Sequence, residues 1–269
     1  MKFSVLISLY YKENPDFLRQ SLDSVFTQTL PPDEVVLVED GPLTAELDAV
    51  VNEYVRRYQS LHIVKLPKNM GLGNALNEGL KHCSNELVAR MDTDDICYAN
   101  RFEKQVAYMK THPEIAVCGA WIDEFQGDRN NVTSTRKLPE TSEEIFEFGK
   151  KRNPINHPVV MFRKSAVEAV GSYQPFYLFE DYFLWVRMLQ NGAKFHNLQE
   201  PLLYFRFSPD MFNRRGGWKY ACVEARFYLT LYRLGYIGLA KTCMNLCIRF
   251  TTRIVPNKLR GWIYKKILR

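Results

Sequence analysis

Four short aliphatic runs, Phe3–Leu9, Glu34–Val38, His62–Leu66 and Glu86–Met91, are separated by segments with helical spacing. Strands apolar on both faces must be covered on both sides. Their alternation with helices therefore predicts an α/β architecture with a mostly parallel sheet flanked by helices. Between the first two runs, Asn14-Pro15 is a good helix start, and Leu18, Leu22 and Val25 recur along Pro15–Gln28. Before the fourth, Leu72, Ala75, Leu76, Gly79, Leu80 and Cys83 share one helix face, entered from the turn Asn69-Met70-Gly71. A helix over Asn100–Lys110 and a fifth strand over Ala116–Ile122 follow. Gln126–Pro139 reads as a loop or hairpin, Thr141–Lys151 as a helix and Val159–Phe162 as a short strand. Glu180–Gln190 is a helix opening on two acids, and Phe195–Phe207 returns to strand. The 269 residues suit one large domain, or one domain with an appendage.

Ligands of such a sheet bind beyond the carboxyl ends of its strands. Two acidic turns fall there: Glu39-Asp40-Gly41-Pro42 and Asp92-Thr93-Asp94-Asp95. Three carboxylates on one short turn repel one another and resist burial, so the second turn calls for a counter-cation. A hard divalent ion, Mg²⁺ or Mn²⁺, suits all-oxygen ligands and leaves positions for substrate phosphate. An acidic turn capping the next helix fits the same four residues.

Charge is unevenly spread. The chain carries +6, yet residues 211–269 hold thirteen Lys and Arg against one acid, Glu224. That segment stands at +12 and the rest at −6. Trp218, Tyr220, Phe227, Tyr228, Tyr232, Tyr236, Phe250, Trp262 and Tyr264 are interleaved with the basic residues. Such helices suit an anionic membrane surface. A helical cap with a solvated basic face fits as well, and the two are compatible. Nucleic acid shares the charge requirement, but no recognition motif supports it. No run reaches transmembrane length, and Met1–Leu9 reads as a strand rather than a signal peptide, so a cytoplasmic protein with reduced thiols is expected. Cys243 and Cys247, at i,i+4, are expected to form one packed helix face.

Five segments then occur in order: Val5-Leu-Ile-Ser-Leu-Tyr-Tyr11, Val36-Leu-Val-Glu-Asp-Gly41, Asn69-Met-Gly-Leu-Gly-Asn-Ala-Leu-Asn77, Met91-Asp-Thr-Asp-Asp95 and Phe179-Glu-Asp-Tyr-Phe-Leu-Trp185. Together they resemble the family 2 glycosyltransferases of the GT-A fold, over residues 3–207. The resemblance implies an inverting, metal-dependent transfer of one sugar from a nucleotide-sugar donor, UDP-linked, to a glycan acceptor. It implies that Ser8, Leu9, Tyr10 and Glu13 border the base, and that Asp40 accepts the uracil N–H. Asn69, Gly71 and Asn74 would lie near the donor phosphate and sugar. Asp92 and Asp94 would contact the nucleotide-sugar, and Asp94 and Asp95 would hold Mn²⁺ or Mg²⁺, which of the two directly being left open. Asp181 would be the general base, with Glu180 orienting the acceptor hydroxyl. The family's usual Asp-Asp-Gly-Ser is here Glu39-Asp40-Gly41-Pro42, which leaves the part of Glu39 open.

His157 is a candidate acceptor or phosphate contact, or a structural histidine. Arg90, Lys68 and Arg163 are candidates for neutralising a diphosphate. Residues 1–210 are expected to form the catalytic domain and 211–269 a basic helical extension. Extension and resemblance together suggest a polyprenyl-diphosphate-linked acceptor, as in surface polysaccharide, O-antigen or lipopolysaccharide assembly. The enzyme would then be peripheral on the cytoplasmic face of the inner membrane. A processive synthase is disfavoured, since neither a Gln-x-x-Arg-Trp motif nor spanning helices are present. Two alternatives are a non-catalytic membrane-docking protein on a degenerate transferase fold and a phosphate-ester hydrolase. In the hydrolases of haloacid-dehalogenase type, Asp-x-Asp follows the first strand and continues with x-Thr or x-Val, unlike the turn here.

Overall fold

The computed structural model describes residues 1–207 and 217–254. Nine strands form one sheet: β1 (Phe3–Leu9), β2 (Glu34–Glu39), β3 (Leu61–Lys65), β4 (Leu87–Met91), β5 (Ile96–Cys97), β6 (Ile115–Phe125), β7 (Val132–Arg136), β8 (Met161–Arg163) and β9 (Lys194–Arg206). Their order is β3-β2-β1-β4-β8-β6-β9-β5, with β7 hairpinned onto β6. β1, β2, β3, β4, β6 and β9 run one way, while β5, β7 and β8 run against them.

Alternation along the strands sorts side chains into two cores. Val5, Ile7, Val35, Leu37, Leu87 and Ala89 face one cluster. It is completed by α1 (Pro15–Phe26), α2 (Ala45–Arg57) and α4 (Arg101–Thr111). Leu6, Val36, Val38 and Val88 face the other, with α3 (Leu72–His82), α5 (Ser142–Gly149), α6 (Lys164–Glu168) and α7 (Glu180–Gln190). The predicted α1 start is built as expected: Asn14 accepts from the Asp16 and Phe17 N–H groups, with Pro15 at the first helical position. Gly79 of α3 faces β1 and β2 so closely that a Cβ there would lie 2.4 Å from Leu6 Cδ1 and 2.5 Å from Val38 Cγ2.

Sequence reading missed α2. Its buried positions Leu47, Val50, Val51 and Tyr54 are helically spaced, and the signal lies in Thr44, whose hydroxyl accepts from the Leu47 N–H. The short β5 and α6 were missed as well, and the loop or hairpin expected at Gln126–Pro139 is the β6–β7 hairpin.

The basic C-terminal segment forms a helical hairpin, α8 (Trp218–Arg233) and α9 (Leu239–Ile254). It breaks at Gly235, as expected, where φ is +73°. The break expected near Pro256, Trp262 and Tyr264, and the boundary at 210–211 lie outside the described residues. α8 enters the same core as α7. Phe227 stacks on Phe179 at 4.7 Å between centroids and meets Phe176 at 5.1 Å and Tyr182 at 4.6 Å. The Tyr228 and Tyr236 hydroxyls donate to the carbonyls of Lys151 and Phe146.

Cys243 and Cys247 correct the sequence reading: both are exposed. The inward positions of α9 are Thr242, Asn245, Leu246, Arg249 and Arg253, so the cysteines fall on the opposite face.

Glu224, the one acid of the extension, is buried on α8 and takes a two-point ion pair from Arg253 of α9, at 2.7 and 3.0 Å. Glu224→Ala would leave the Arg253 guanidinium buried without its carboxylate. We expect a loss of about 3–5 kcal/mol in urea unfolding. Replacing both residues by apolar ones of similar volume should recover most of it.

Candidate active site

The carboxyl ends of β1, β2 and β4 meet at one edge of the sheet, where the two acidic turns leave their strands. Along β1, Leu9 points into the core shared with α1 and α2, so only its backbone faces this edge. Its carbonyl accepts the Asp40 N–H at 2.7 Å. Ser8 projects to the opposite face, and with Tyr10 and Glu13 it is half-buried at the mouth.

Asp40 is 2% exposed, and its carboxylate accepts from the Met70 and Gly71 N–H groups at 2.6 and 3.1 Å. A carboxylate at a helix N-terminus satisfies orphan donors and complements the dipole. The residue assigned by resemblance to the uracil edge thus anchors the turn into α3. The two turns interlock: Gly41 has φ +87°, and a Cβ on it would lie 2.5 Å from the Asn69 nitrogen. Asn74 Nδ2 donates to the Met70 carbonyl at 2.8 Å. Asn69, Gly71 and Asn74 are exposed along this rim, with Lys68 beside them.

Oxygens of Asp92, Asp94 and Asp95 lie within 4.8 Å of one another. Two guanidinium groups hold this turn. Arg90, fully buried on β4, pairs with the Asp92 carboxylate. Arg206, at the end of β9, donates from its backbone to Asp95 Oδ1 at 2.8 Å and from Nε to the Asp94 carbonyl at 2.9 Å. Its guanidinium is stacked over Phe17 at 3.9 Å and bonded to Gln20. Ser21 fixes the Asp92 carbonyl. Burial, and then the charge of Asp92, pushes the Asp94 carboxyl up to about 6. Burial and both neighbouring carboxylates hold Asp95 well above the usual carboxylate range. Asp95 Oδ2 is buried with no partner among the described residues. An all-carboxylate donor set, an unpartnered buried oxygen and unrelieved repulsion together fit a hard divalent cation.

The second pair of acids stands at the start of α7. Asp181 accepts from Asn153 Nδ2 at 2.6 Å. Glu180 packs against Gly73 of α3, and burial and then Asp181 push its carboxyl up to about 7. Arg90 and Tyr173 lie among Asp92, Glu180 and Asp181, close enough for their charges to interact. The two acidic groups therefore lie within electrostatic reach of each other.

His157 is inside this wall. It shares a 2.9 Å hydrogen bond with the Tyr173 hydroxyl, and burial, then Arg90, pushes its ring well below the usual histidine range. Arg163 is elsewhere: it pairs across from Leu87 at the far end of β4 and donates to the Ile115 and Met109 carbonyls. Sequence reading missed Arg206, Tyr173 and Asn153. Arg206 lies 111 residues from Asp95 in sequence, so no local spacing could connect them.

Similarity to known proteins identifies the family. Residues 4–171 match the family described as glycosyl transferase family 2, and the chain belongs to that family. It is an enzyme, a glycosyltransferase. The amylovoran biosynthesis glycosyltransferase AmsE of Erwinia amylovora is 44% identical over 98% of both chains. The UDP-Gal:alpha-D-GlcNAc-diphosphoundecaprenol beta-1,3-galactosyltransferase of Escherichia coli is 40% identical over 100% of this chain and 97% of that one. Among solved structures, S. aureus TarS 1-349 in complex with UDP-GlcNAc matches with a TM-score of 0.70 at 19% identity, over 99% of this chain and 76% of that one. The fold is thus GT-A.

The raised Asp94 carboxyl gives a signed expectation. Its charged form is penalised in the folded state, so the penalty develops as pH rises from about 4 through about 6. In chelator, Asp94→Asn should melt higher than wild type at pH 8, and the gap should close as pH falls toward 4. Thermal unfolding across that range checks it.

Proposed function

We propose that this enzyme moves a single sugar from a UDP-linked donor to a glycan carried on a polyprenyl diphosphate, with inversion at the anomeric carbon. The observation that carries the reading is the meeting of two acidic groups, Asp92–Asp95 and Glu180–Asp181, at one sheet edge around Arg90 and Tyr173. In this reading Ser8, Tyr10, Glu13 and the Leu9 backbone border the base. Asp40 shapes the base end through the α3 turn, and Asn69, Gly71 and Asn74 line the donor's path. Asp92 takes the ribose side, and Asp94 and Asp95 hold Mn²⁺ or Mg²⁺. That ion would supply positive charge to the leaving diphosphate.

Asp181 accepts the proton of the acceptor hydroxyl as its oxygen bonds to the anomeric carbon and the bond from that carbon to the UDP oxygen breaks. One base on the face opposite the leaving group suffices for a single inversion. Asn153 fixes the Asp181 carboxylate, and Glu180 offers a second oxygen to orient the acceptor. The acceptor class is supported by the relative whose printed acceptor is a GlcNAc-diphosphoundecaprenol, and surface-polysaccharide assembly by the amylovoran relative. A lipid-linked acceptor and a basic extension favour peripheral attachment to the cytoplasmic face of the inner membrane. Among the described residues no helix is long and apolar enough to cross a membrane.

Asp181→Asn should lower turnover about 10²- to 10⁴-fold while UDP-sugar binding, read by ligand-induced thermal shift with Mn²⁺ present, stays as in wild type. Wild-type turnover by the variant would remove Asp181 as base. The same thermal-shift assay across a panel of UDP-sugars identifies the donor without an acceptor. A melting temperature raised by none of them would overturn the donor class.

A further inference from the structure

Helix α9 is built inside out. Its inward positions are largely polar: Asn245 donates to the Lys150 carbonyl, Arg249 to the Lys151 carbonyl, and Arg253 to buried Glu224. Among its described side chains, the exposed positions are Leu239, Ala240, Cys243, Met244, Cys247 and Ile248, all apolar. They recur at helical spacing and form one stripe about 15 Å long. Single exposed hydrophobic residues are ordinary, but a continuous stripe opposite a polar, anchored face marks an interaction surface.

We infer that this stripe is the face on which the enzyme lies in an anionic bilayer, with Met244 and Ile248 entering the boundary between headgroups and acyl chains. Charge decides between a bilayer and a second copy of the chain. No acid occurs on α9, and the one acid of the hairpin, Glu224, is buried in its ion pair. Lys219, Arg226 and Arg233 of α8 are exposed, and the sequence after α9, residues 255–269, adds five Lys and Arg and no acid. Two such surfaces repel each other, whereas anionic headgroups attract both. Basic side chains can extend to headgroups while their stems cover apolar surface.

The position also suits the chemistry. The Gly217 N–H, at the start of α8, donates to the Arg253 carbonyl at 3.1 Å, and Trp218, 65% exposed, meets Phe250 edge-on at 5.1 Å. Tyr220, one turn on, packs against Phe179, which directly precedes Glu180 and Asp181. The end of α9 is thereby joined, through the start of α8, to the segment that carries Glu180 and Asp181. The inference deepens the membrane attachment proposed above, and it is read by partition rather than turnover, so either reading can fail alone.

The test is Met244→Glu with Ile248→Glu in the full chain. Both side chains point away from the core, so the unfolding midpoint should be unchanged. Co-sedimentation with phosphatidylglycerol–phosphatidylethanolamine vesicles should weaken at least about tenfold. The thermal shift given by a UDP-sugar should persist. Wild-type protein should bind phosphatidylcholine vesicles far more weakly than anionic ones. Variant binding equal to wild type, or wild-type binding indifferent to lipid charge, would overturn the inference. A wild-type dimer in lipid-free buffer that the variant dissociates would overturn it too, assigning the stripe to a second copy.

Discussion

Mutual repulsion among Asp92, Asp94 and Asp95 is the constraint around which this end of the molecule is organised. Three carboxylates with oxygens within 4.8 Å of one another would spread apart on a free turn. Arg90 holds the first from β4. Arg206 holds the other two from the last strand, its backbone N–H on the Asp95 carboxylate and its Nε on the Asp94 carbonyl. Neither clamp hydrogen-bonds Asp95 Oδ2, which is buried with no such partner among the described residues. The turn is thus kept in shape while its negative potential is left for a ligand.

The rest of the edge is assembled by similar local locks. Asp40 caps α3, and the close approach of Gly41 to Asn69 keys two turns from different strands together. Gly73 lets Glu180 of α7 close against α3, and Asn77 of α3 receives the Tyr173 N–H and donates to its carbonyl. Through these contacts the base side of the site, on β2 and α3, and the acid pair on α7 are set at fixed positions by the same helix. The C-terminal hairpin extends that arrangement, because Phe227 packs directly on the residue that precedes Glu180.

Much of this was legible in the sequence because it rests on local signals. Apolar runs gave β1 to β4, and Asn14-Pro15 gave α1. The carboxylate turn at the end of β4 stands out by charge crowding, which by itself fits a helix-capping turn as well as a cation site. What escaped depends on contacts far apart in the chain. Arg206 reads as an ordinary basic residue at a strand end until the fold brings it to Asp95. α2 was hidden because its buried stripe is interleaved with charged residues. Cys243 and Cys247 misled because i,i+4 spacing identifies a shared face without saying which way it points. The inward face of α9 is polar because backbone carbonyls at Lys150 and Lys151 and the Glu224 carboxylate need partners there.

The central claim is that the clamped carboxylates form a metal–diphosphate site. Calorimetric titration of UDP into the enzyme, in chelator and then in Mn²⁺, tests it most directly. The account predicts binding at least about tenfold tighter with the ion, in keeping with a charge that bridges carboxylates and phosphates. It also predicts that Asp95→Asn removes most of that gain. UDP binding of equal strength with and without the divalent ion would contradict it.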